Sequence, residues 1–217
     1  MDHERLLAPV GSPEGRRYLG AMAAAANFAW ANRQTMMGLA QRAIQRVLAI
    51  SDEELGAALL WDVCHNIAKR ERHLVDGAER SLLVHRKGAT RAFGPGAAEL
   101  PGCYRSVGQP VMIPGDMGRA SYVLVGTARA MTETFGSSCH GAGRVLSRHA
   151  ALRRAKGRHI AAELREKGVE VLSRAQKTLA EEMPEAYKDV GQVVEVMHAA
   201  GITLKVARLR PVAVVKG

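Results

Sequence analysis

The sequence predicts an α+β domain with a mixed sheet flanked by helices. An alanine-rich stretch bounded by helix signals fills residues 12–50. Short apolar runs of strand length follow at 110–113, 122–125 and 169–172. Helical and strand-like segments alternate irregularly, without the regular β-α-β order of a parallel fold. The 217 residues read as a single domain, and 47% hydrophobic content excludes wholesale disorder.

The elements follow in order. Ser12 can cap a long helix, Pro13 suits its first position and Glu14 its positive end. Small residues on several faces predict a close-packed, internal helix with a kink at Gly38. Ser51 and Glu54 form a capping box for a second, shorter helix. Asp76-Gly77 between two alternating runs signals a hairpin over 68–85. Residues 88–108, rich in Gly and Pro, read as loop. Two buried strands at 110–113 and 122–125 enclose the loop 114–119, and residues 127–135 look helical. A small-residue loop, 136–143, leads into a basic helix from Arg144 to about Ala155. A helix over 159–167 and a strand over 169–172 come next. Asp189 caps a helix ending near Gly201, and an apolar run closes the chain.

Charge narrows the function. Lys and Arg number 31 against 21 acids, a net +10, which suggests an anionic partner. The excess is local: from Gly141 to Lys177 ten cations face three acids. Aromatics at 4% exclude a binder built on base-stacking platforms, so phosphate recognition fits better. No run of eighteen apolar residues exists, which excludes a transmembrane helix. Met1-Asp2-His3-Glu4-Arg5 opens no signal-type stretch, and three cysteines make no disulfide framework, so the expected compartment is the cytoplasm.

Three loops concentrate glycine and reactive side chains: Cys64-His65-Asn66, the segment 114–121, and Ser137-Ser138-Cys139-His140-Gly141-Ala142-Gly143-Arg144. In the last, Gly141 and Gly143 allow close backbone approach, a following helix offers free N–H groups, and Arg144 adds a bidentate phosphate clamp. His140 beside such a cradle is placed to attack phosphorus or move a proton. A plain structural turn accounts for the same spacing. Likewise the segment 114–121 reads as a turn or a nucleotide loop, and His65 as a hydrogen-bonded core histidine or a metal ligand. Arg86, Lys87 and Arg91 read as a solvated basic face or as phosphate contacts. Zinc is a further reading of Cys64-His65, Cys139-His140 and Cys103, but no pair has Cys-x-x-Cys spacing.

Six stretches carry a resemblance: 24–33, 62–69, 85–92, 110–126, 139–144 and 206–217. They include Asp62-Val63-Cys64-His65-Asn66, His85-Arg86-Lys87-Gly88 and Cys139-His140-Gly141-Ala142-Gly143-Arg144. Together they make the chain similar, over essentially its whole length, to the C-terminal half of the RtcB-type RNA ligases, the tRNA-splicing ligase family. The resemblance implies the C-terminal half of that fold. It also implies joining of RNA 3′-phosphate or 2′,3′-cyclic phosphate ends to 5′-hydroxyl ends, with GTP and manganese. It makes His140 the histidine that becomes guanylylated and His65 a metal ligand. Asn66, Pro114, Gly115, Asp116, Met117, Ser121, Gly141, Ala142, Gly143, Tyr187 and Lys216 would contact guanylate. The basic segment, with Arg144, Arg148, Arg153 and Arg154, would face RNA phosphates. Implied partners are RNA, an archease-type activator and a separate N-terminal half. That half carries the family's other metal ligands, an aspartate, a cysteine and two histidines, which have no counterpart here. The sequence also departs at Asp116, where related proteins carry a small hydroxyl residue and where a carboxylate would repel phosphates. A non-catalytic nucleotide- or RNA-binding module, or an inert fragment, is the alternative.

Overall fold

The computed structural model describes residues 8–216, so the leader reading at Met1–Arg5 lies outside it, as does Gly217. Helix α1 (Pro13–Leu48) begins as expected: the Ser12 side chain accepts a hydrogen bond from the Gly15 amide, and Pro13 opens the first turn. Ala49 ends it in the left-handed conformation. The capping box forms at α2 (Asp52–Leu55), with Ser51 and Glu54 satisfying each other's backbone N–H. The hairpin is β1 (Ile67–Val75) and β2 (Ala78–Arg86), antiparallel through all nine pairs, with Asp76 and Gly77 both at positive φ in its turn.

The expected loop 88–108 contains a short strand, β3 (Ala89–Arg91), and one helical turn, α3 (Gly102–Arg105). Strands β4 (Pro110–Ile113) and β5 (Ser121–Gly126) fall where the apolar runs put them, followed by α4 (Ala128–Glu133) and β6 (Ser137–Cys139). Then come α5 (Arg148–Arg154), α6 (Ile160–Glu166), β7 (Glu170–Ser173), α7 (Gln176–Glu181) and α8 (Val190–Ala199), the last capped by Asp189. The closing apolar run splits into β8 (Thr203–Leu209) and β9 (Ala213–Lys216).

The α+β class holds, but the single mixed sheet does not. Among the described residues the strands form four small sheets, β1-β2, β3-β6, β4-β5-β8 and β7-β9, of which only β7-β9 is parallel. The nine-residue strands β1 and β2 pair only with each other, and the three- and four-residue strands β3, β6, β7 and β9 offer too few ladder bonds to join the β4-β5-β8 sheet. Two apolar cores replace the single sheet. One gathers Met117, Ala151, Ile160, Leu164, Val171, Leu179 and Met183; the other gathers Val111, Ile113, Ala120, Leu124, Ala142, Val190 and Val194. Met117 and Ala120 belong to different cores, so the loop between β4 and β5 is fixed by both.

The internal position expected of α1 is also corrected. Of its residues only Gly15 is buried, while Phe28 and Val47 are 77% and 80% exposed. Small side chains permit close packing but cannot supply the surface to pack against. Among the described residues, α1 touches chiefly α2 and β1. No helix among the described residues is long and apolar enough to cross a membrane.

Candidate functional site

The site grows from the short pair β3-β6. Thr90 pairs with Ser138 and Ala89 with Cys139, and the chain leaves β6 directly at His140. The His140 amide donates to the Gly88 carbonyl at 3.3 Å, so the end of the hairpin holds the candidate nucleophile. From the other side comes Cys64-His65-Asn66. Asn66 takes the left-handed conformation (φ 55), which turns the chain into β1 and leaves His65 outside the strand. The rings of His65 and His140 stack, with centroids 3.9 Å apart and planes 22° from parallel. The two histidines singled out from sequence, 75 positions apart, are thus brought into contact.

Burial, and then the neighbouring His65, holds the His140 pKa below the ordinary imidazole value. His140 is therefore neutral at pH 7, as a nucleophile must be. Its Nδ1 is buried without a hydrogen-bond partner, which leaves Nε2 as the accessible nitrogen.

The loop after His140 is tied to the β4–β5 loop. The Ala142 amide donates to the Pro114 carbonyl at 3.3 Å, and the Gly143 carbonyl accepts from the Lys188 amide at 3.0 Å. Beside these ties lies a cavity of about 240 Å³ lined by Pro114, Gly115, Asp116, Met117, Ser121, Tyr187 and Lys216. These seven expected guanylate contacts, from four separate segments, converge there. Glu182, Pro211 and Val214 complete the lining and were not expected. Asn66 is not brought to it: with His65 it faces a hollow under Met22, Ala25 and Ala29 of α1.

The absence of a side chain at Gly115 is structural. A Cβ there would stand 2.1 Å from the Ala120 carbonyl oxygen and 2.8 Å from Val190 Cγ1. Gly115→Ala should therefore shift the whole loop and lower stability by about 1–3 kcal/mol, read from a denaturant melt. An unchanged midpoint would contradict this geometry.

Asp116 does not confront a ligand as its charge suggested. Its fully buried carboxylate caps its own turn, Oδ1 accepting from the Gly118 and Arg119 amides at 2.9 and 3.0 Å. Oδ2 has no hydrogen-bond partner, only the charge of Arg119 Nε at 3.4 Å. Burial raises the Asp116 pKa above the usual carboxylate value. Tyr187 donates its hydroxyl to Glu182 and accepts from Arg144 Nη1 at 2.9 Å, so it presents its ring rather than a free hydroxyl.

Arg144 requires a correction. No helix starts at it: α5 begins at Arg148, capped by Ser147, because Arg144 forms an antiparallel bridge with Tyr187. The Gly-rich loop thus runs into extended chain, and no helix N-terminus cradles phosphate there. The guanidinium is spent inside the protein, on Leu146 O, Glu181 O, Glu182 and the Tyr187 hydroxyl. It orients the tyrosine and is not free for RNA. Arg148, Arg153 and Arg154 are exposed, Arg148 only 3.9 Å from Glu181.

His65 offers one imidazole toward a metal. Among the described residues no three His, Cys, Asp or Glu side chains lie close enough to hold one, so these residues do not by themselves make a manganese or zinc site.

Behind His140 lies a feature the sequence reading missed. Glu71, His73 and Arg86 are buried along one face of the hairpin. Arg86 grips both Glu71 oxygens at 2.7 and 2.8 Å, His73 Nε2 lies 3.0 Å from the same carboxylate, and Arg86 also holds Ser137 Oγ and the Phe135 carbonyl. The available signal was the alternation Lys69, Glu71, His73 on one strand face, with an arginine at the end of the partner strand.

Comparison with known proteins gives the family. The family model described as tRNA-splicing ligase RtcB matches residues 1–217. The tRNA-splicing ligase RtcB of Archaeoglobus fulgidus is 54% identical over 216 residues, covering 100% of this chain and 45% of that protein. Its namesake in Methanococcus maripaludis is 50% identical with the same coverage. The one in Pyrococcus furiosus is 54% identical over 217 residues, 22% of its length. The chain thus spans less than half the length of these relatives. With the family model matched throughout and relatives about half identical over the whole chain, this chain belongs to the tRNA-splicing ligase RtcB family.

Proposed function

We propose that this chain is the nucleotide-carrying portion of an RNA ligase that uses GTP to join 3′-phosphate or 2′,3′-cyclic phosphate ends to 5′-hydroxyl ends. The observation that carries the reading is the neutral, half-buried His140, stacked on His65 and followed by Ala142, whose amide is tied to Pro114 of the loop that lines the cavity. In this reading the cavity holds guanylate, Tyr187 packs against the base and Lys216 meets the phosphates. His140 Nε2 attacks the α-phosphorus of GTP, a phosphorus–nitrogen bond forms and pyrophosphate leaves. His65 restrains the ring, and the Glu71–Arg86 pair holds the strand that delivers it. The guanylyl group then passes to the RNA 3′-phosphate, and the 5′-hydroxyl displaces GMP. Manganese would supply charge neutralisation, with His65 as one ligand and the rest from a separate N-terminal half. RNA is the proposed partner, an archease-type activator a further one, and the cytoplasm the proposed compartment.

The test is complementation. The chain is mixed with the missing portion of its Archaeoglobus relative, GTP, manganese and RNA bearing the two ends. Joined RNA should appear only when both polypeptides are present. Failure to join, with both folded and associated, would favour the non-catalytic nucleotide- or RNA-binding module.

The exposed arginines give a separate expectation. If Arg148, Arg153, Arg154 and a neighbour contact single-stranded RNA, log K should fall with log salt with a slope of roughly −3. Replacing Arg153 and Arg154 by alanine should flatten that slope by about 1.4 in a filter-binding titration. An unchanged slope would place them on a solvated face.

A further inference from the structure

We propose that a small chamber between α1, the connector 61–64 and the strands β1 to β3 is a binding site for a phosphate-class dianion, free or at the end of a nucleic-acid strand. The chamber has a volume of about 130 Å³ and is lined by Trp30, Trp61, Cys64, Lys69, Arg86 and Arg91, among others. It shares no lining residue with the cavity of Pro114 and Lys216.

Its polar groups are mostly donors. Among the described residues the Lys69 ammonium makes no hydrogen bond or ion pair; it lies 5.4 Å from the centroid of the Trp30 ring. The Trp61 indole N–H is buried and unpartnered. Arg91 uses Nε on Gln109 at 2.8 Å and lies over Phe93, and its two terminal nitrogens bond to no described residue. The nearby carboxylates are engaged: both Glu71 oxygens go to Arg86, and Asp62 pairs with Arg33 at 2.7 Å. Of the lining charges, three cations (Lys69, Arg86, Arg91) thus face one carboxylate, Asp62, which Arg33 neutralises from outside the chamber. Burial, and then the charge of Arg91, lowers the Lys69 pKa, and burial lowers that of Arg91. Both cations would be relieved by a bound anion. A tetrahedral dianion supplies enough acceptor lone pairs for the ammonium, the guanidinium and the indole at once.

Both tryptophans of the chain line this chamber, so intrinsic fluorescence reports on it directly. Inorganic phosphate is titrated at constant ionic strength, balanced with sodium chloride. A saturable change in emission is expected. Lys69→Met should weaken binding by roughly ten- to a hundredfold, while Lys69→Arg should retain it. Lys216→Ala should leave the response intact, which separates this site from the proposed guanylate cavity and its fate from that of the ligase reading. A dinucleotide with a 3′-phosphate that competes, while its 3′-hydroxyl form does not, assigns the site to strand ends; competition by inorganic phosphate alone assigns it to the free ion. An emission change that follows chloride equally, an unaltered affinity in folded Lys69→Met, or a response lost in Lys216→Ala would overturn the proposal.

Discussion

Arg86→Met should lower the stability of the fold by about 3–5 kcal/mol, the range for removing one partner of a buried ion pair. Methionine fills much the same volume but leaves the Glu71 carboxylate, 6% exposed, with only His73 for a partner. It also releases Ser137 Oγ and the Phe135 carbonyl, so the loss should be accompanied by loosening of the strand that ends at His140. The pH dependence has a definite sign. Burial alone would raise the Glu71 pKa, but the hydrogen bonds from Arg86 and His73 outweigh it and hold the carboxyl below its ordinary value of 4.5. Its contribution is therefore present above the unfolded-state pKa and lost as the pH falls through the lower folded-state value. Urea melts from pH 7 to pH 3 should show the wild type losing stability below about pH 4.5, with a smaller loss in Arg86→Met. Identical midpoints for the two proteins at pH 7 would contradict the buried-pair account.

His140→Ala should remove covalent nucleotide attachment altogether in the complemented enzyme, a drop of at least 10⁴-fold by analogy with loss of other catalytic nucleophiles. The fold should survive it: the ring is half-buried, and the backbone bond of residue 140 to Gly88 does not depend on its side chain. Because the His140 pKa is depressed by burial and by His65, the pH at which the wild-type rate of attachment falls to half should lie below the ordinary imidazole value of 6.5. A rate that halves near pH 6.5 would mean an unshifted imidazole, and label retained in His140→Ala would mean a different nucleophile.

The sequence was most legible where local chemistry decides the outcome. Ser12, the Ser51–Glu54 box, Asp76-Gly77 and Asp189 each act within four residues, and each element they bound is present. It was least legible where remote groups compete. Arg144 sits after two glycines and before a helical pattern, yet Glu181, Glu182 and Tyr187, some forty positions away, draw it into extended chain. The one mixed sheet failed for a similar reason: strand pairing is set by which runs meet, and β7 meets β9 rather than the β4-β5-β8 sheet. The long first helix looked internal because alanine is compatible with burial, whereas burial itself needs a neighbour. The motifs picked out His65 and His140, which the fold stacks, and the 114–121 loop, Tyr187 and Lys216, which the fold brings to one cavity, but could not show that Asp116 is turned into its own backbone. Nor could they show that Glu71 and Arg86 support the strand that ends at His140, because alternating charges in a hairpin ordinarily face water.

The most direct test of the central claim, that this chain carries the nucleotide on His140, is a labelling experiment with the unmatched portion of the Archaeoglobus relative supplied. The complemented protein is incubated with manganese and with GTP labelled at either the α- or the γ-phosphate, then denatured and divided between acid and alkali. Label from the α-position should stay on the 217-residue chain through alkali and be lost in acid, as a histidine phosphoramidate requires, and label from the γ-position should not attach. Label on the other polypeptide, attachment from the γ-position, or an acid-stable adduct would contradict the account.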